Sequence, residues 1–156
     1  MPAADVTVGA EFTRVVFTTV DSASFGGAFA IQGSEAGLRF TIITGAAMIL
    51  GPQDLILAAY ADKTIVLKGE TPVRTLSLGS IGSLFTVGTD VTLEPEDIVL
   101  RGRAGNNTFL VWVDGGTLVM NGGEKVRGND AITSGAGGRI VTGGVLINNA
   151  GTVIMR

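Results

Sequence analysis

From Phe40 onward, apolar residues come in short runs interrupted by Gly, Asn or Asp. Runs at 64–67, 84–87, 109–113, 117–120 and 152–155 are typical, and Val, Ile, Leu and Thr fill them. β-Branched residues bounded by turn formers predict strands, not helices. The runs also recur. Thr117-Leu118-Val119-Met120 returns as Thr152-Val153-Ile154-Met155 and aligns backwards with Asp90-Val91-Thr92-Leu93. Leu84-Phe85-Thr86-Val87, Leu110-Val111-Trp112-Val113 and the run ending at Ile147 form a second set. Leu67-Lys68-Gly69, Leu100-Arg101-Gly102 and Val126-Arg127-Gly128 form a third. Strand types returning every ~26 to 35 residues predict a solenoid with three strands per turn.

Stacked turns lie ~4.8 Å apart, so each inward position becomes a column of similar side chains. The predicted columns are Val91, Leu118, Val153; Leu93, Met120, Met155; Phe85, Val111, Val145; Val87, Val113, Ile147; and Leu67, Leu100, Val126. An antiparallel sandwich competes with this, because Asp114-Gly115 and Asn121-Gly122 are hairpin signals. Hairpins explain single turns but not columns that align across three turns.

Residues 1–39 stand outside the repeat. Phe12, Val15, Val16 and Val20 follow helical spacing and predict one short amphipathic helix. With the 25–38 segment it would cap the first rung, as a solenoid requires. The sequence reaches Arg156 inside a strand run, with no capping segment after it. The expectation is that a partner or further repeats of a longer chain cover the last rung.

Composition narrows the chemistry. Of 156 residues, 24 are Gly, roughly twice the usual ~7% share. Hydrophobic residues make up 46% and aromatics only 6%, which suits a narrow interior of Val, Leu and Ile. The chain has neither Cys nor His, which removes disulfides, thiolate and imidazole metal sites, and histidine proton transfer. A net charge of −3 argues against nucleic acid. No apolar stretch approaches the ~20 residues of a membrane span. The opening residues Met1 to Asp5 show neither the basic nor the apolar region of a signal peptide.

Several phrases resemble right-handed parallel β-helix, pectin-lyase-like repeat proteins of bacterial surfaces. They are Gln53-Asp54-Leu55, the 63–69 and 82–88 segments, Gly115-Gly116-Thr117-Leu118-Val119-Met120-Asn121-Gly122-Gly123, and Gly143-Gly144-Val145-Leu146-Ile147-Asn148-Asn149. The resemblance spans about 40–156 and implies an extracellular or cell-surface scaffold of adhesin type without enzymatic activity. The expected fold is therefore all-β: a right-handed parallel β-helix of about four rungs over 40–156, with an N-terminal cap over 1–39 containing one short helix.

Three groups of residues are candidates for function. Lys68, Arg101 and Arg127 would share one corner of successive turns, a basic ladder able to hold sulfate, phosphate or uronic-acid glycans. Glu94-Pro95-Glu96-Asp97 could serve as Ca²⁺ ligands or an acid/base pair. It reads more simply as a solvated turn where Pro95 breaks the strand, with no basic group facing it. Trp112, Val119, Leu146 and Ile154 would point outward, in columns Thr86-Trp112-Leu146 and Thr92-Val119-Ile154, and form an apolar contact surface. Asn106-Asn107-Thr108 matches a glycosylation sequon but reads as a turn. Ser134 to Gly138 reads as a flexible corner, not a nucleotide loop. No Thr-x-Thr occurs, which disfavours an ice-binding face. The expected function is a non-enzymatic scaffold without cofactor, forming a homo-oligomer or filament through its last rung and outward apolar columns. A glycan-binding module is the alternative, and a polysaccharide lyase or glycosidase the third reading.

Overall fold

A computed structural model describes residues 15–19, 21–34, 39–56, 60–121, 125–128 and 144–156. The predicted positions Phe12, Val20, Gly122 and Ser134 to Gly138 lie outside them. The chain opens with strand β1 (Val15–Thr19), helix α1 (Ser22–Ser34) and strand β2 (Arg39–Thr44). Four circuits of three strands follow. They are β3 (Met48–Leu50), β4 (Gln53–Leu55), β5 (Thr64–Gly69); β6 (Arg74–Leu78), β7 (Phe85–Val87), β8 (Thr92–Glu96); β9 (Ile98–Arg101), β10 (Val111–Asp114), β11 (Thr117–Met120); and β12 (Lys125–Arg127), β13 (Val145–Asn148), β14 (Thr152–Met155).

Each circuit visits three sheets in the same order. The first sheet runs β1-β2-β5-β8-β11-β14, the second β3-β6-β9-β12 and the third β4-β7-β10-β13. Every pairing among the described residues is parallel, so the antiparallel alternative fails. The hairpin signal at Asp114-Gly115 is instead a corner between β10 and β11, with Gly115 at φ 82°. The next residue, Gly116, has no room for a Cβ, which would collide with the Gly88 carbonyl of the preceding circuit. Glycine does not carry every corner: Asp62, Asp90 and Asp97 also take positive φ, which Asp tolerates better than most residues.

Side chains alternate between a buried interior and an outer face. The third sheet stacks as expected, with Phe85↔Val111↔Val145 and Val87↔Val113↔Ile147 in register. The first sheet differs. Leu118 pairs with Leu93, not Val91, giving an inward column Phe40, Ile65, Leu93, Leu118, Val153. The shift is two residues, so each side chain keeps its face while its neighbour changes. In the second sheet Met48, Leu76, Leu100 and Val126 align, whereas Leu67 belongs to the first sheet. Phe85, Leu67, Leu100 and Leu118 are buried in one continuous core. Burying each such side chain is worth about 1.5–3 kcal/mol.

Pro95 does not break its strand. β8 runs through it to Glu96, and Pro95 sits opposite Leu67. The Thr92 N–H donates to the Lys63 carbonyl on the β5 side, so odd-numbered β8 residues face β11. Pro95 has no N–H to offer there, and β8–β11 pairing stops at Leu93↔Leu118.

The N-terminal segment departs from expectation. Val15 to Thr19, read as helical from spacing, form a strand parallel to β2. Four of those five residues are β-branched, which favours a pleated surface. The helix lies further on, where Asp21 caps it. Asp21 Oδ1 accepts from the Ser24 N–H at 2.7 Å, and Ser24 Oγ accepts from the Asp21 N–H at 3.2 Å. This reciprocal pair satisfies two donors at the helix start. The helix packs against β1, β2 and β3, and Phe25 and Ala28 enter the same core as Ile42 and Met48.

Candidate functional site

The basic ladder is divided between two sheets. Lys68 lies in β5, between Ile43 and Glu96 in register, and its Nζ donates to Glu96 Oε2 at 3.2 Å. Arg101 and Arg127 are register neighbours in the second sheet, where Ser77 precedes them. The Leu-(Lys/Arg)-Gly phrase recurs at two different corners, so three matching phrases yield only two aligned basic positions. Four consecutive threonines instead line one outer column, Thr64, Thr92, Thr117 and Thr152, preceded by Arg39. Thr92 thus belongs beside Thr117, not in the column of Val119 and Ile154.

The acidic segment does face basic groups, contrary to the sequence reading. Glu94 Oε2 accepts from Arg39 Nη2 at 3.0 Å. Glu94 Oε1 accepts from Asn121 Nδ2 at 3.4 Å, and Arg156 Nη1 lies 3.9 Å away. Glu94 is buried, while both arginines are largely exposed. One carboxylate therefore ties β2, β8 and the segments following β11 and β14. Both of its oxygens are engaged by donors from other strands or strand ends, the arrangement of a structural clamp. Among the described residues no three Asp or Glu side chains gather as a metal site. Tyr60 is buried, and that burial pushes its phenol above the ordinary value.

Asn106 is wholly buried and committed to structure. Its Oδ1 accepts from the Gly82 N–H, and its Nδ2 donates to the carbonyls of Gly82 and Thr108, each at 3.0 Å. The sequon asparagine is thus the clasp of a corner, as the turn reading expected.

The four apolar residues occupy different environments. Trp112 sits between Thr86 and Leu146 in register. The two hydrophobes of that pair are half-buried, and the Trp112 Nε1 is buried without a hydrogen-bond partner. Val119 and Ile154 are register neighbours. Val119 is only 4% exposed and presents no free surface, whereas Ile154 reaches 36%.

The sequence reading expected an open last rung but looked for its exposed apolar residues in the outward columns, not the inward ones. Met155 and Ile147 were assigned to inward columns; Ile147 stacks on Val113 and Val87 as expected, and Met155 on Met120, whereas Leu93 of that predicted column pairs with Leu118. Yet Met155 is 73% and Ile147 51% exposed, while their neighbours Met120 and Val113 are 7% and 0%. Among the described residues no further strand stacks on them. That position in the repeat order was the available signal. The strands around them hold no Lys, Asp, Glu or Pro, the residues that ordinarily protect a free edge. Among the described residues no helix is long and apolar enough to cross a membrane. No family model, curated protein or solved structure matches the chain.

Proposed function

We propose that the chain is a non-enzymatic scaffold module that associates through its last circuit. The cyclic visits to three parallel sheets are read as turns of a right-handed parallel β-helix, since parallel crossovers are right-handed in ~98% of cases. In that reading α1 caps the first turn, and an extracellular or cell-surface setting follows from the family resemblance. The observation that carries the proposal is the exposure of Met155 and Ile147 in columns buried elsewhere. Inward apolar residues left open beside unprotected strand edges form a surface suited to another chain.

Sedimentation velocity across a concentration series tests this. The expected result is a concentration-dependent larger species that Met155→Lys returns to monomer. A wild-type protein that stays monomeric throughout overturns the proposal.

A further inference from the structure

We infer that the outer face of the second sheet binds a linear acidic polysaccharide, through a line of cations formed by Arg103, Arg101 and Arg127 with Lys125 beside it. This face is the side of the stack and is separate from the association proposed above.

Charge is sorted by sheet. In the first sheet the strand cations meet carboxylates, Arg39 with Glu94 at 3.0 Å and Lys68 with Glu96 at 3.2 Å. The strands of the third sheet hold only acidic charges, Asp54 and Asp114. Those of the second hold only basic ones. β3, β6, β9 and β12 contain Arg74, Arg101, Lys125 and Arg127, and no Asp or Glu. The chain as a whole has 14 acidic residues against 11 basic, so its net charge conceals this face.

Register separates Arg74 from the others. It pairs with Ile98, which is buried, and its own Nε is buried too. Arg101 follows the buried Leu100 and is exposed, as is Arg103 at the corner beyond it. Among the described residues neither of these two forms an ion pair. Arg103 Nη1 instead reaches back to the Gly79 carbonyl of the preceding circuit, at 3.4 Å. β12 brings Arg127 alongside Arg101, and Lys125 alongside Val99. Asp97 is the carboxylate closest to Arg101 in sequence, four residues earlier and ~13 Å away along the strand.

The cations therefore follow the stacking direction. Arg103 at Gly79, Arg101 and Arg127 mark three successive circuits, ~4.8 Å apart. An exposed ion pair is weak by itself, so a single anion would be held poorly. A chain with anions on successive units engages the whole line, and every contact after the first is intramolecular. Arginine forks suit the planar, multi-oxygen anions of such a chain.

The face also selects among polyanions. Its four strands hold no aromatic residue on which bases could stack. The acidic third sheet beside it opposes the charge density of a nucleic-acid duplex. A bilayer would need apolar groups among the cations, yet exposed Ile49 lies on β3, the strand farthest from Arg127. An acidic polysaccharide needs none of these.

Isothermal titration calorimetry at low salt tests the site, with heparin as the sulfated probe and alginate as the carboxylated one. At least one should bind, and added salt should weaken it. Arg101→Gln should weaken binding about threefold, and together with Arg127→Gln about tenfold. Should the double variant lose its circular-dichroism signal, the single replacement at exposed Arg101 carries the test. Lys68→Gln, which removes a paired cation of the first sheet, should change binding by less than about 1.5-fold. Binding of neither polymer, or equal losses for Lys68→Gln and Arg101→Gln, overturns the site. Equal affinity for phosphatidylserine vesicles or duplex DNA, lost in the same variants, overturns the polysaccharide as its ligand. Each of these results leaves association through the last circuit to its own test.

Discussion

The two ends of the molecule solve the same problem in different ways. Both expose the interior of a stack whose apolar columns run lengthwise. At the N-terminal end a capped helix lays Phe25 and Ala28 over Ile42 and Met48, and β1 extends the first sheet beyond β2. At the C-terminal end Val153 and Met155 occupy equivalent columns, and among the described residues no strand stacks beyond them. The chemistry of the columns is similar; the difference is whether a neighbour is present. A repeated fold buries a residue by its place in the stack as much as by its type.

The sharpest way to break this contrast compares two methionines that are register neighbours. Met120→Ala should cost about 2–5 kcal/mol in denaturant unfolding, as buried truncations do. Met155→Ala should cost about 0.5 kcal/mol or less at low protein concentration. Similar costs for both at low concentration would show that the last circuit is already covered within the chain.

A smaller effect is expected from the clamp that spans the circuits. Arg39→Met removes the closest donor to buried Glu94 and leaves Asn121 and Arg156 beside it. The expected loss is about 1–2 kcal/mol, between the values for exposed and buried pairs. A double replacement that also converts Glu94 to Leu should recover most of it. A loss below about 0.3 kcal/mol for Arg39→Met would remove the clamp from the account of how the circuits are tied.

The smallest effect concerns the helical end and acid. The hydrogen bonds from Ser24, backbone first, hold the Asp21 carboxyl below its ordinary 3.8. A depressed carboxyl stabilises the fold above its unfolded value, and that stabilisation is lost as pH falls through the folded one. Helical signal from α1 should therefore weaken below pH 3.8 in wild type. Asp21→Asn, which still caps but does not titrate, should flatten that step; an unchanged acid profile would assign the step elsewhere.

Residue pattern carried much of this architecture, and its failures share a cause. The third-sheet columns were legible because Phe85-Thr86-Val87, Val111-Trp112-Val113 and Val145-Leu146-Ile147 align without gaps. Alternation fixes which face a residue takes but repeats every two positions, so Leu118 could be set against Val91 instead of Leu93. Lys68 was misplaced because its flanking Leu and Gly recur at a different corner. Helical spacing at Val15 and Val16 was outweighed by β-branching and a waiting edge on β2. The true helix contains Gly26, Gly27 and Gly33, which weaken helices and hide the signal. The Glu94 clamp was illegible because Arg39 meets it across an intervening strand, a distance set by the fold alone.

The Asn106 clasp has a consequence for how the molecule comes apart. It reaches Gly82, just as Arg103 reaches Gly79, Thr44 reaches Lys68 and Thr19 reaches Ile43. Each of these bonds joins residues 24 positions apart, a single circuit away. Coupling of this kind behaves like a row of linked coins: each responds to the ones beside it and scarcely to the rest. Fraying can enter at an end and advance circuit by circuit, with protection against hydrogen exchange graded along the axis. Such a row can gain or lose a circuit without redesigning its neighbours, so length becomes a property that changes independently of fold.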